Sequence, residues 1–254
     1  LAQCKSLRDR LELLPRYLDL CHAIAYAHDR GVIHRDIKPD NVMIGSFGET
    51  VVIDWGLAKL KGKVDVYAAE LKATAQALKE GPAAPTAQTL YGTILGTPHF
   101  MAPEQARGDI DSVDERSDVY ALGAVLYMLL TGKRPYDKAP LQNVILHINL
   151  PPLTAIKDLA PNAPPELITI CYKALETKQP DRYQNAAELA REVQRFMSGA
   201  LVESHEYTMR DQVRRFVRKY KAQVVTAGLA FAALLLVGIV SYIQILQANA
   251  KERE

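Results

Sequence analysis

Two short β-rich runs, Asn41-Val-Met-Ile44 and Thr50-Val-Val-Ile53, flank Gly45-Ser-Phe-Gly-Glu49, which has the length and composition of a hairpin loop. In an antiparallel hairpin, the residue entering the first strand and the residue leaving the second lie at the same end. Here those residues are Asn41 and Asp54. A carboxylate and an amide oxygen at one rigid strand end suit Mg²⁺, a hard cation that takes oxygen ligands and shares them with phosphates. Just upstream, His34-Arg35-Asp36-Ile37-Lys38-Pro39-Asp40-Asn41 supplies a second carboxylate, Asp36, and a cation, Lys38. Taken singly, each of these residues is more often a turn or cap than a ligand. Their order along the chain is what suggests chemistry.

Helices must position such a hairpin. Apolar residues at helical spacing (Leu11, Leu14, Leu18, Cys21, Ile24, Ala25) predict one long amphipathic helix over 7–29, ended by Gly31. The run from Asp118 to Leu130 reads as a buried helix, too short to span a bilayer and followed by Gly132 and Pro135. Residues 164–176 and 184–197 give two further amphipathic helices, with Pro180-Asp181-Arg182 between them.

The 254 residues carry a net charge of +2, which argues against nucleic-acid binding through bulk positive charge. With 48% hydrophobic and 24% charged residues, wholesale disorder is excluded. Cys4, Cys21 and Cys171 form no CxxC pair, so a disulfide framework or cysteine-built zinc site is not expected, and a reducing compartment is the simpler reading.

The string HRDIKPDN, followed by the hairpin and Asp54-Trp55-Gly56, resembles the catalytic loop and magnesium-binding motif of bacterial eukaryotic-like (receptor-type) Ser/Thr protein kinases. Further matches follow in order. Gly96-Thr97-Pro98 and Ala102-Pro103-Glu104 look like the end of an activation segment, Asp118 to Gly123 like the start of the central helix of the C-terminal lobe, and Arg182 like a late arginine that pairs with Glu104. The implied fold class is protein-kinase-like (α+β): a mainly α C-lobe with a small β-hairpin at the catalytic site, followed by one transmembrane α-helix.

The resemblance implies roles for individual residues. Asp36 would orient the substrate hydroxyl and accept its proton, and Lys38 would stabilise the γ-phosphate of ATP. Asn41 and Asp54 would hold Mg²⁺. Lys38, together with Thr97 in the region facing the substrate residue after the acceptor (P+1), favours Ser/Thr over Tyr. Glu104 and Arg182 would form a structural ion pair, and Asp118 would brace the catalytic loop. Trp55 stands where Phe is usual. Arg35 would pair with a phosphate on the activation segment, for which Thr89 and Thr93 are the candidates. The segment between Asp54 and Glu104 is longer than the family usually uses; in its surplus at 61–88, Val64, Tyr67, Leu71 and Leu78 share one helical face.

Two features concern the ends. No Gly-rich loop, strand lysine or paired helix glutamate appears upstream of residue 7, so the reading expects a C-lobe alone, part of a longer kinase. From Ala222 to Ala250 there is no charged side chain, which predicts a membrane span. Arg210, Arg214, Arg215, Arg218, Lys219 and Lys221 precede it, placing the kinase part in the cytoplasm by the positive-inside rule. The expected organisation is a C-lobe over 1–198, a basic juxtamembrane linker over 199–221, a membrane helix over 222–246, and the start of an extracytoplasmic segment over 247–254. The expected partners are protein substrates, membrane lipids and a homodimer, with no nucleic acid; the location is the inner membrane, single-pass. A competing reading is a catalytically inactive membrane-tethered scaffold: the intact Asp36, Lys38, Asn41 and Asp54 favour the enzyme, the absent upstream lobe the scaffold.

Overall fold

The computed structural model describes residues 4–63, 65, 68, 98–139, 152–209 and 220–251. Thr89, Thr93, Thr97, most of the 61–88 surplus and residues 210–219 of the basic linker lie outside the described residues. The chain divides into two compact units, Leu1–His205 and Glu206–Glu254.

The first unit opens with α1 (Leu7–Leu11), capped by a reciprocal pair of bonds between Ser6 and Asp9, and α2 (Leu14–Asp29). Where periodicity predicts a single helix, the chain breaks between Leu11 and Leu14. Pro15 explains the restart: a proline is tolerated in the first turn of a helix, where its missing N–H costs nothing, but not further inside. The break lets Arg10 turn inward. Its Nε and Nη2 donate to the carbonyls of Leu129 and Leu130, at 2.9 and 3.1 Å, satisfying groups that the end of a helix leaves open.

That helix is α4 (Glu115–Thr131), the centre of the lobe. Asp114 caps its start, and Gly132, at φ +75°, ends it in the left-handed conformation that glycine adopts without strain. Val119, Leu122, Ala124, Leu126 and Leu130 are buried along it. The helix is apolar on nearly every side because α1, α2, α6 (Pro165–Ala174) and α7 (Ala186–Met197) pack around it. Between Asp114 and the hairpin lies the short α3 (Pro103–Ala106); α5 (Ile156–Leu159) leads into α6.

Gly123 marks the closest approach within this bundle. A methyl group there would stand 2.7 Å from Cβ of Ala174 and 3.2 Å from its backbone carbon. Neither atom is the free end of a flexible side chain, so Gly123→Ala must push α4 and α6 apart. We expect a loss of about 1–3 kcal/mol, read as a lower midpoint in chemical denaturation with an unchanged slope.

Two antiparallel pairs complete the lobe. The hairpin strands β2 (Val42–Ile44) and β3 (Thr50–Val52) run in the register Val42–Val52, Met43–Val51, Ile44–Thr50. A second pair, β1 (Val32–Ile33) with β4 (Lys59–Leu60), brackets the segment between them and is too short to carry a periodicity signal. Val42 and Val52 pack on the lobe's core, while Met43 and Val51 on the other face are half exposed.

The second unit is α8 (Lys221–Lys251). At 1.5 Å per residue it is about 46 Å long. Leu229, Phe231, Leu234, Leu236 and Ile239 are exposed along it. Counted over the described residues alone, no helix is long and apolar enough to cross a membrane. Its full sequence nevertheless places no Asp, Glu, Lys or Arg between Lys221 and Lys251.

Candidate active site

The loop leaving β1 is built around one buried carboxylate. Asp118, in the first turn of α4, is 1% exposed and accepts the backbone N–H of His34 at 2.8 Å and that of Arg35 at 2.9 Å. His28, near the end of α2, adds a third contact, 2.9 Å from Nε2 to the Asp118 carboxylate. The other nitrogen of that imidazole, Nδ1, faces the backbone N–H of Ala186 at 3.4 Å, which fits a neutral ring with its proton on Nε2. His28 is not singled out in the sequence, although it extends the buried stripe Cys21–Ile24 by one helical turn.

These bonds hold an unusual backbone. Arg35 sits at φ +69°, a conformation that side-chain-bearing residues rarely adopt. Its N–H is fixed by Asp118, and its carbonyl accepts from Gln105 Nε2 of α3 at 2.9 Å. The turn delivers Asp36 to the surface of the lobe. There Asp36 Oδ2 accepts from Lys38 Nζ at 2.6 Å and from Asn41 Nδ2 at 2.9 Å, while the same amide group also reaches the Asp36 carbonyl at 2.8 Å. Asp36, Lys38 and Asn41, predicted from order along the chain, thus stand in one cluster.

Asn41 closes a 3₁₀ turn over Pro39–Asn41, just before β2. Its carbonyl accepts from the backbone N–H of Ile53 at 3.0 Å, so Asp54 follows directly at the same hairpin end. Asp54 is exposed and stands at φ +61°, the second left-handed residue of the site. Both Asn41 amide hydrogens serve Asp36, which leaves its side-chain oxygen as the acceptor. An amide oxygen and one exposed carboxylate fit Mg²⁺, a cation commonly held by one or two protein oxygens with phosphates and water completing the shell. No cluster of three or more His, Cys, Asp or Glu suited to a metal occurs among the described residues.

Trp55 uses its extra atoms. Its indole nitrogen donates to the Val52 carbonyl at 3.0 Å, a bond no phenyl ring could make, and its ring lies 4.5 Å from that of His34. His34 accepts the Asp36 N–H on Nδ1 at 3.2 Å and approaches the Ile53 carbonyl through Nε2 at 3.3 Å. The imidazole therefore ties the Asp36 loop to the Asp54 strand. Gln105 does not stand out in the sequence, because it acts through one long-range bond, and His34 is read there only as the first residue of the HRDIKPDN string.

Away from the surface, Arg182 and Glu104 form a two-pronged pair, 2.8 and 2.9 Å, with both side chains essentially buried. Ser117 Oγ donates to Glu104 at 2.7 Å, and the Arg182 guanidinium also meets the carbonyls of Glu176, Thr177 and Arg116. Burial alone would raise the Glu104 pKa; hydrogen bonds and charge from Arg182, with Ser117, outweigh it and hold the carboxyl below its ordinary value.

A helical lobe with a strained loop presenting Asp36, Lys38 and Asn41 beside a strand-end Asp54 has the layout of one half of a phosphoryl-transfer site. The protein kinase domain matches residues 15–206, and the chain belongs to the protein kinase family. It is 35% identical over 189 residues to a serine/threonine-protein kinase, PknD, of Chlamydia trachomatis, covering 73% of this chain and 20% of that protein. The PknD of Protochlamydia amoebophila is 35% identical over 198 residues, covering 74% and 19%. A probable serine/threonine-protein kinase of Corynebacterium efficiens is 36% identical over 181 residues, covering 70% and 24%. The chain thus spans about one fifth to one quarter of the length of these relatives.

Proposed function

We propose that this chain is the catalytic lobe of a membrane-anchored Ser/Thr protein kinase, which transfers the γ-phosphoryl group of ATP to hydroxyls of cytoplasmic proteins. The observation that carries this reading is the cluster of Asp36, Lys38 and Asn41, held at 2.6–2.9 Å beside Asp54. Lys38 and Asn41 both point hydrogens at Oδ2 of Asp36, which fixes the plane of the carboxylate and directs Oδ1 towards an incoming hydroxyl. Asp36 aligns that hydroxyl and takes its proton as the new P–O bond forms. Lys38 brings positive charge to the same point, where it stabilises the phosphoryl group in transit. Mg²⁺ held by Asn41 and Asp54 would neutralise charge on the phosphates. Met43 and Val51, opposite each other on the outer face of the hairpin, form an apolar step on which a planar base can rest; the sequence offered no separate sign of this.

The Asp54 assignment has a direct consequence. Asp54→Asn is expected to remove most of the Mg²⁺-dependence of ATP binding, measured by calorimetry with and without the metal. An unchanged metal-dependence would overturn the assignment.

The membrane reading rests on α8. An uncharged run between its terminal lysines, Lys221 and Lys251, and exposed leucine, isoleucine and phenylalanine side chains suit a lipid environment better than water. Basic residues at 210–221 would face the cytoplasm and anionic lipid headgroups. In this arrangement the kinase part is cytoplasmic at the inner membrane, and pairing of two copies through the membrane is a natural route to activation. Phosphorylation at Thr89 or Thr93 would supply an anion for Arg35.

A further inference from the structure

Arg35 turns its guanidinium into the lobe, where the side chain is 2% exposed. Nη2 donates to the carboxylate of Asp65. Nε and Nη1 are buried and meet no hydrogen-bond partner among the described residues. A buried cation with two unserved nitrogens is a strong anion site, and one carboxylate oxygen satisfies only part of it. Asp65 is itself largely buried and belongs to the segment that follows Asp54. Its charge therefore reaches the backbone turn that presents Asp36, since the Arg35 N–H and carbonyl are held by Asp118 and Gln105.

We propose that Asp65 is the resident counter-anion of Arg35, a positioning residue that neutralises the guanidinium before phosphorylation and that an incoming phosphate must displace. A phosphate brings about two negative charges and three acceptor oxygens. Along one guanidinium edge it can serve Nη2 together with Nε or with Nη1, and its second negative charge lets it outcompete the carboxylate. Its advantage is nevertheless reduced by what Asp65 already supplies. Phosphorylation accordingly acts on a loop that is already partly ordered, and the switch is graded rather than all-or-none. This rests on the reading of Asp36 as proton acceptor, but the occupancy of Arg35 can be tested apart from it.

Inorganic phosphate is titrated into the chain in its unphosphorylated state, with binding read from Trp55, the one tryptophan, whose ring contacts the residue next to Arg35. Asp65→Asn is expected to tighten phosphate binding about tenfold, the worth of roughly one charge-assisted hydrogen bond. Asp65→Glu should bind like the parent, and Asp65→Asn combined with Arg35→Ala should abolish the gain. Equal phosphate affinity in the parent and Asp65→Asn, with both folded by circular dichroism, overturns the proposal whether or not the protein transfers phosphate. The second measurement uses the complete kinase after phosphatase treatment. There Asp65→Asn should lower kcat with little change in KM for ATP, Asp65→Glu should restore it, and phosphorylation should bring all three forms together. In Thr89→Ala/Thr93→Ala this convergence should be lost. If convergence persists there, the phosphate comes from another residue and Asp65 keeps its role; a kcat unaffected by Asp65→Asn removes that role.

Discussion

Asp36→Asn is expected to reduce phosphoryl transfer by the complete kinase about 10²–10⁴-fold, the range spanned by a positioned general base. The amide nearly matches the carboxylate in size, and Asn41 and Lys38 can still donate to its oxygen. What is lost is the oxygen that takes the hydroxyl proton. Because Asn41 and Asp54 are untouched, ATP and Mg²⁺ should still bind, so the defect belongs in kcat and KM for ATP should move little. A parallel loss of nucleotide affinity would mean that Asp36 mainly supports the metal ligands. A variant retaining parental kcat would remove it from the chemistry.

Arg182→Ala is expected to be the most damaging single change to the fold. The arginine is 2% exposed, and its removal leaves the Glu104 carboxylate buried with Ser117 and Gln179 as its remaining side-chain partners among the described residues. It also frees the carbonyls of Glu176, Thr177 and Arg116. Breaking a buried, hydrogen-bonded ion pair from one side costs about 3–5 kcal/mol. The loss should depend on pH. Because the Glu104 pKa is held below its ordinary value in the folded lobe, the pair contributes stability above the unfolded carboxylate range and loses it as pH falls through the folded pKa. The gap in denaturation midpoint between parent and Arg182→Ala should therefore be widest near neutral pH and shrink in acid. Glu104→Gln, which keeps the shape without the charge, should fall between them. A uniform gap across the pH range would place the effect in packing rather than charge.

Much of this site is legible in the sequence because its main residues lie close together or at a fixed place on a hairpin. Asp36, Lys38 and Asn41 occupy a single turn, and Asp54 is brought to Asn41 by local strand pairing. The central helix declares itself through the apolar run that follows Asp118 and through Gly132 after it; the start at Glu115, capped by Asp114, lies ahead of that run. The residues that escaped notice act across long separations. His28 reaches Asp118 from another helix, Gln105 holds the Arg35 carbonyl, and Asp65 reaches Arg35 from the segment after the metal-binding motif. Gln105 and Asp65 belong to no pattern of period two or of 3.6, and the helical stripe that includes His28 marks its burial but not its bond to Asp118. The break between α1 and α2 is a different case: the apolar period runs through it, and only Pro15 carried the contrary signal.

On the proposed reading, this lobe presents the residues that move a phosphoryl group to serine or threonine. The most direct test is to supply the complete kinase with ATP labelled on the γ-phosphate, Mg²⁺ and a protein acceptor, and then identify the labelled amino acids after acid hydrolysis. Phosphoserine and phosphothreonine are expected in the parent and neither in Asp36→Asn. A folded, membrane-bound protein that captures partners but labels no hydroxyl, in the parent as in Asp36→Asn, would contradict it and leave a tethered scaffold in its place.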